Sequence, residues 1–454
     1  MRGMVWIAIL MHSFLPRSSL RTGKINSAVR FLKSARGQRS RLLSTAEQKA
    51  VHASSSRNIT HVERLDALLR WNASDFVADE RARRVIVLKD TLQGMELEAE
   101  GAAEELKALV DAEGGEELLL GGGRDLEVYC GAMLRYVLHT FSTRGSVPPD
   151  FVRELLAQSK ELMRSLPNVM QVQRARSSNG SEALGSITVV GDVHGQFHDF
   201  AQIFEQGVAG LPHAHNQFVF NGDLVDRGEM SCEIVLTLLL AKVLSSAVAS
   251  AGCHEHSMSG AVHVLRGNHE TTAMNENYGF AKEALQKFDQ STLDQFRAVF
   301  EALPVAAVLE DAVFVVHGGL GPLTEEMSIA QLNQIRRFKE PDHRGALTEL
   351  LWSDPKDGLQ GFAPNRRGIA HYFGANVTAS FLRRNKLSLL IRSHEVFMPG
   401  FKLFHGGLLL SVFSAPNYCG QVGNLGAVVR FDKADSMNPV IRQFEAVEAH
   451  VHVD

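Results

Sequence analysis

Residues 186–195, Ser-Ile-Thr-Val-Val-Gly-Asp-Val-His-Gly, and residues 218–228, Phe-Val-Phe-Asn-Gly-Asp-Leu-Val-Asp-Arg-Gly, share one plan. A short run of β-branched and aromatic residues stops abruptly at glycine and aspartate. Apolar residues stand on both parities of each run, which predicts strands buried on both faces and not half-solvated ones.

The plan recurs. Val262–Leu265 runs into Gly267-Asn268-His269-Glu270, Val313–Val316 into His317-Gly318-Gly319, and Leu387–Ile391 into Arg392-Ser393-His394-Glu395. A further run, Leu408–Phe413, precedes Ser414-Ala415-Pro416-Asn417-Tyr418-Cys419-Gly420. Helical text lies between the strands, as in Cys232–Leu244 and Leu293–Leu303, so strands and helices alternate in α/β fashion. In open α/β folds ligands sit just beyond strand ends, and the polar motifs are expected there.

A lone Gly-Asp after a strand is an ordinary turn. Five such motifs in register gather carboxylate, amide and imidazole donors at one rim, and their glycines allow close backbone approach. Asp, Asn and His form a hard-to-borderline donor set that suits Mn, Fe or Zn, unlike a thiolate set. Two metals can be served if one carboxylate bridges them. By contrast, Cys253-His254-Glu255-His256, with His213 and His215 nearby, lacks a partner set at metal-ligand spacing and reads as a surface loop.

Upstream of the first motif, Phe151–Leu166 reads as helix, and Gly114-Gly115 and Gly121-Gly122-Gly123 punctuate the chain as a linker. Leucines at three- and four-residue spacing between His61 and Ala112 predict an amphipathic helical region. The first 46 residues contain no Asp or Glu and carry nine Lys or Arg residues among many serines. That is the composition of an organelle transit peptide; a signal-peptide start at Met4–Leu10 and a disordered tail are the rival readings. The domain boundaries expected are 1–55 for this Arg/Ser-rich segment, 56–123 for the helical accessory region and linker, and 124–448 for a catalytic domain. Cytoplasm or nucleus is the location without a transit peptide, and mitochondrion or plastid the location with one.

Composition narrows the classes. The chain has 454 residues, 45% hydrophobic and 22% charged, as in an ordinary globular protein. A net charge of −4 gives no basic field for nucleic acid. Four scattered cysteines without a CxxC pair supply neither a disulfide framework nor a zinc module. No apolar run reaches the roughly 18 residues of a membrane span.

The motifs GDVHG, GDLVDRG, GNHE, HGG and RSHE, closed by SAPNYCG, resemble in residues and order the signature of the phosphoprotein phosphatase family. The resemblance covers roughly Leu126 to Ala446 and is strongest to the protein phosphatase 5 branch, through RSHEV, Gly406-Gly407 before the last strand, and Gln421 where many relatives have an acid. That branch's tetratricopeptide region, with a period near 34 residues, has no counterpart in the first 123 positions. The resemblance implies a calcineurin-like metallophosphoesterase fold, a mixed β-sandwich flanked by helices, here with an N-terminal helical extension.

It further implies a serine/threonine protein phosphatase that attacks the phosphoester directly with a hydroxide held between two divalent metals, Mn2+ in vitro and Fe or Zn natively. Asp192, His194 and Asp223 match ligands of one metal, and Asp223, Asn268, His317 and His394 those of the other. His269 matches the general acid and Asp226 its orienting carboxylate. Arg227 and Arg367 match the two phosphate-contacting arginines; Arg366 stands beside the latter, and the spacing to His394 decides for Arg367. Tyr418 matches a residue lying over the active centre and joins Arg227, Arg367 and Asn268 on the substrate side, while Cys419 matches a position open to covalent toxins in relatives. Trp352-Ser353-Asp354-Pro355 also matches and is read as structural, with Trp352 packed and Pro355 closing a turn. Phosphoproteins are the implied substrates, and a regulatory protein could dock on the N-terminal helical region. Two rivals stand: a metallophosphoesterase acting on nucleotides or dinucleotide polyphosphates, against which SAPNYCG argues, and a non-catalytic scaffold, which would require a lost ligand.

Overall fold

The computed structural model describes residues 123–175, 185–250, 260–431 and 439–447. The segment 1–55, the helical region of 56–123 except Gly123, and the Cys253–His256 loop lie outside the described residues. Helices α1 (Gly123–Ser142) and α2 (Pro149–Arg164) come first, then strand β1 (Val169–Val172). The first motif-bearing strand, β2 (Ser186–Val190), is followed by α3 (Phe197–Ile203), β3 (Asn216–Phe220), α4 (Ser231–Ser250) and β4 (Val262–Val264). Helices α5 (Thr272–Tyr278), α6 (Phe280–Lys287) and α7 (Gln290–Ala302) lead to an antiparallel pair, β5 (Ala306–Leu309) and β6 (Val313–Val316). After the short α8 (Ile329–Leu332) and α9 (Ala346–Trp352) comes a small sheet of β7 (Asp354–Pro355), β8 (Phe362–Pro364) and β9 (His371–Phe373). Helix α10 (Ala375–Asn385), β10 (Leu389–Arg392), β11 (Phe401–Phe404), β12 (Leu409–Val412), β13 (Gly426–Phe431) and β14 (Val440–Phe444) complete the domain.

The strands form a six-stranded sheet, β1-β5-β6-β10-β12-β11, and a five-stranded one, β14-β13-β2-β3-β4. In each, three neighbours run parallel: β6, β10 and β12 in the first and β2, β3 and β4 in the second. Their side chains alternate between two cores. Val313 and Val315 of β6 face an inter-sheet core with Ile187, Val189, Val219, Ile391 and Leu410, whereas Phe314 and Val316 face an outer core with Leu350 and Phe381 of α9 and α10. Each such side chain contributes about 1.5–3 kcal/mol on burial, and both parities must be apolar because both faces are covered. The arrangement is a mixed β-sandwich flanked by helices, as the resemblance implies.

All six sequence-read runs fall on strands, within a residue or two at either end. Two readings are corrected. Gly406-Gly407 does lie in the hairpin turn between β11 and the antiparallel β12, but β12 is not the last strand, since β13 and β14 follow. Pro355 does not close a turn but lies in β7, opposite Phe373.

Candidate metal centre and phosphate site

All five motifs sit at the carboxyl ends of the two parallel trios, and the sheets meet there. Asp192 pairs with Phe413 across the sandwich, Ser414 N donates to Asp192 O (3.0 Å), and His394 N donates to Asp192 Oδ1 (3.0 Å). Gly191 permits this approach: a Cβ there would stand 2.3 Å from Val412 O. The loops are locally strained. His194, Asp223, Asp226, Arg227 and His394 all adopt φ between 43° and 75°, a left-handed conformation that costs a residue with a side chain about 1–3 kcal/mol and collects at functional sites.

The imidazoles of His194 and His317 are each oriented by a backbone carbonyl. His194 Nδ1 donates to Val225 O (2.9 Å) and His317 Nδ1 to Asn221 O (2.8 Å), so the neutral form of each ring keeps its lone pair on Nε2. His194 Nε2 is 3.7 Å from Asp192 Oδ2 and 3.5 Å from Asp223 Oδ2. His317 Nε2 is 3.2 Å from Asp223 Oδ1, 2.9 Å from Asn268 Oδ1 and 3.2 Å from His394 Nδ1. Asp192, Asp223, Asn268 and His317 are almost wholly buried.

These residues fit a pair of cations. Electron-pair donors converge from two sides on Asp223, whose oxygens face His194 on one side and His317 and His394 on the other. If the Asn268 amide were turned over, its nitrogen would donate to His394 Nδ1 (2.7 Å) and His317 Nε2 (2.9 Å). The orientation with oxygen inward presents only lone pairs to the centre, and a cation requires that arrangement. Burial and then the Asp223 carboxylate push Asp192 up to about 7, and a cation beside both carboxylates would favour their ionised forms.

His269 stands apart from the donor set. Proximity alone would admit it beside His194 and Asp223, since its Nε2 is 4.0 Å from Asp223 Oδ2. Its Nδ1, however, is 2.7 Å from Asp226 Oδ2, while Asp226 Oδ1 accepts from Phe280 N (2.9 Å). Burial opposes a charge on His269, yet Asp223 and the Asp226 hydrogen bond outweigh it and raise its pKa, as Asp223 also raises His317 against burial, to about 9. What sets His269 apart is distance, its Nε2 lying farther from Asp223 (4.0 Å) than those of His194 (3.5 Å) and His317 (3.2 Å). His194 behaves oppositely: burial, then His269, lower it to about 3.

The two arginines differ in support. The exposed Arg227 lays its guanidinium 4.0 Å from the Tyr278 ring centroid, and that ring is 5.4 Å from the His269 ring. Arg367 is anchored: its Nε donates to Asp354 Oδ2 (2.8 Å) and its Nη2 to His394 O (3.2 Å), while Asp354 Oδ1 takes Nη2 of the fully buried Arg392 (2.8 Å). Arg366, its neighbour in sequence, is exposed as Arg367 is, so the anchoring contacts and not burial distinguish Arg367. The Tyr418 ring lies 5.1 Å from the His194 ring, and Trp352 meets the His394 ring edge-on at 5.6 Å. Cys419 is an exposed free thiol. His213 and His215 stand elsewhere, their rings 6.4 Å apart. Sequence reasoning missed Asp354 and Tyr278. A hint existed for Asp354 alone, as the one acid in a segment otherwise read as packing.

Residues 185–398 match the family model described as "Calcineurin-like phosphoesterase". The chain is 40% identical over 314 residues to serine/threonine-protein phosphatase 5 of Solanum lycopersicum, covering 69% of this chain and 52% of that protein. It is 39% identical over 295 residues to human serine/threonine-protein phosphatase 5, covering 65% and 54%. Among solved structures, a serine/threonine phosphatase of Saccharomyces cerevisiae described as similar to human PP5 superposes with a TM-score of 0.60 at 36% identity, over 68% of this chain and 93% of that one. The chain spans about half the length of the curated relatives it matches.

Proposed function

We propose that this chain, which belongs to the calcineurin-like phosphoesterases and among them to the phosphoprotein phosphatases, hydrolyses phosphoserine and phosphothreonine esters in proteins through residues 124–448. The observation that carries the reading is Asp223, shared between two converging donor sets and flanked by a hydrogen-bonded His269–Asp226 pair. Asp192, His194 and Asp223 would hold one divalent cation and Asp223, Asn268, His317 and His394 a second, Mn2+, Fe or Zn by donor type. Such a pair supplies charge for the phosphoryl oxygens and lowers the pKa of water at the site.

The chain's own groups complete the reaction. Arg227 and Arg367 present planar forks to the phosphate dianion. His269, whose protonated form Asp223 and Asp226 favour, gives its proton to the departing serine or threonine oxygen. Tyr418 closes the centre over His194. A regulatory partner for the N-terminal region remains part of the proposal, as do phosphoprotein substrates.

The test is phosphate release from phosphoserine and phosphothreonine peptides beside a nucleotide and a dinucleotide polyphosphate, with peptide turnover expected to dominate. Asp354 gives a second check. Asp354→Asn should weaken competitive inhibition by inorganic phosphate about tenfold, the scale of one charge-assisted hydrogen bond at Arg367. An unchanged inhibition constant would remove Arg367 from the phosphate site.

A further inference from the structure

Glu270 follows the proposed acid His269, and its side chain is fully buried. Its carboxylate accepts three backbone N–H groups: Gly267 at 2.8 Å and Asp223 at 2.9 Å on Oε2, and Leu224 at 2.8 Å on Oε1. One donor belongs to its own loop after β4 and two to the loop after β3. The clasp is reciprocal, because Asp223 Oδ1 accepts from His269 N (2.9 Å). The main chain of Glu270 is fixed too, its carbonyl accepting from Nε of the buried Arg266 (3.0 Å).

The two loops are in contact where this clasp operates. A Cβ on Gly267 would stand 2.3 Å from both Asp223 N and Asp223 Oδ1, so only glycine fits. Asp223 meanwhile holds φ 51°, a conformation that persists only where its surroundings over-determine it. Among the described residues, the Asp223 and Leu224 amides are tied to β4's loop by this one carboxylate. An ionised carboxylate can accept all three bonds, since both of its oxygens are acceptors only; an amide cannot, because its NH2 group would oppose one of the N–H donors.

We propose that Glu270 is a positioning residue of the metal centre: it holds the Asp223 backbone so that one carboxylate can face both donor sets. This rests on the metal assignment made above. Groups that orient metal ligands are typically worth 10- to 100-fold in metal affinity.

The test measures Mn2+ binding directly, by competition with a chromogenic chelator, on the full chain and on Glu270→Gln and Glu270→Asp. Expected is a 10- to 100-fold loss of affinity for Glu270→Gln, with kcat recovering as Mn2+ is raised and KM little changed. Glu270→Asp, which keeps the charge but shortens the reach, should fall between it and the parent. Melting temperatures of the chelated proteins separate positioning from folding. Unaltered Mn2+ affinity in both variants, or a loss of affinity that merely tracks a collapsed melting temperature in both, overturns the inference. A parent chain that binds two Mn2+ ions but cleaves no phosphopeptide would overturn the phosphatase reading and leave Glu270's role standing.

Discussion

His269→Ala is expected to lose about 100- to 10,000-fold in turnover of a phosphoserine peptide, the usual worth of a general acid, and far less with p-nitrophenyl phosphate. A serine alkoxide is a poor leaving group and needs a proton as the bond to phosphorus breaks, whereas nitrophenolate departs unaided. The hydrogen bond from His269 Nδ1 to Asp226 at 2.7 Å leaves Nε2 as the proton donor. Asp226→Asn should reproduce the pattern in milder form. The pH dependence follows from sign. Burial opposes a charge on His269, but Asp223 and Asp226 outweigh it and raise its pKa above that of an ordinary imidazole, so its proton is held to higher pH than a free imidazole would hold it. Peptide turnover should therefore fall as pH rises through that raised pKa in the parent, and that limb should vanish in His269→Ala. Because His269 adjoins Asn268, bound metal must be assayed in each variant. Equal losses on both substrates with metal retained would mean that His269 positions phosphate or water and does not deliver a proton.

Asp223→Asn should remove activity altogether and lower bound metal. Asp223 lies between the two donor sets, 3.5 Å from His194 Nε2 and 3.2 Å from His317 Nε2, so loss of its charge weakens attraction for both cations at once. His317 and His394 face only one side, and substitution there should reduce metal content less. The measurement is metal content by atomic emission beside phosphatase rate. Parental turnover with two metals still bound would contradict the shared assignment.

The central strands were legible because their information is local. Val313–Val316 must be apolar on both parities, and the polar motif that follows marks the strand's end without reference to any other part of the chain. Eight strands escaped reading, β1, β5, β7, β8, β9, β11, β13 and β14, and three of them show why. β11 and β14 are sheet edges with several exposed residues, Lys402, Leu403 and Arg442 to Gln443 among them, so no burial pattern is written into them. β5, Ala-Ala-Val-Leu, follows helix α7 closely, and only one of its four residues is β-branched.

The same contrast holds within the site. Each proposed ligand stands inside its own short motif, and the resemblance could be carried over residue by residue. Asp354 shows its part only when Arg367, 13 positions on, and Arg392, 38 positions on, come to its two oxygens. Glu270 likewise depends on two amides 46 and 47 positions earlier in the chain. Supporting groups of this kind are defined by long-range packing, and no spacing within one sequence announces them.

The most direct test of the account is phosphate release from a phosphoserine peptide by the full chain, stripped of metal by chelation and then titrated with Mn2+. The account predicts no turnover in the stripped protein and activity that rises in step with two bound Mn2+ ions per chain. Turnover that survives complete removal of metal, or no turnover with both ions bound, would contradict it.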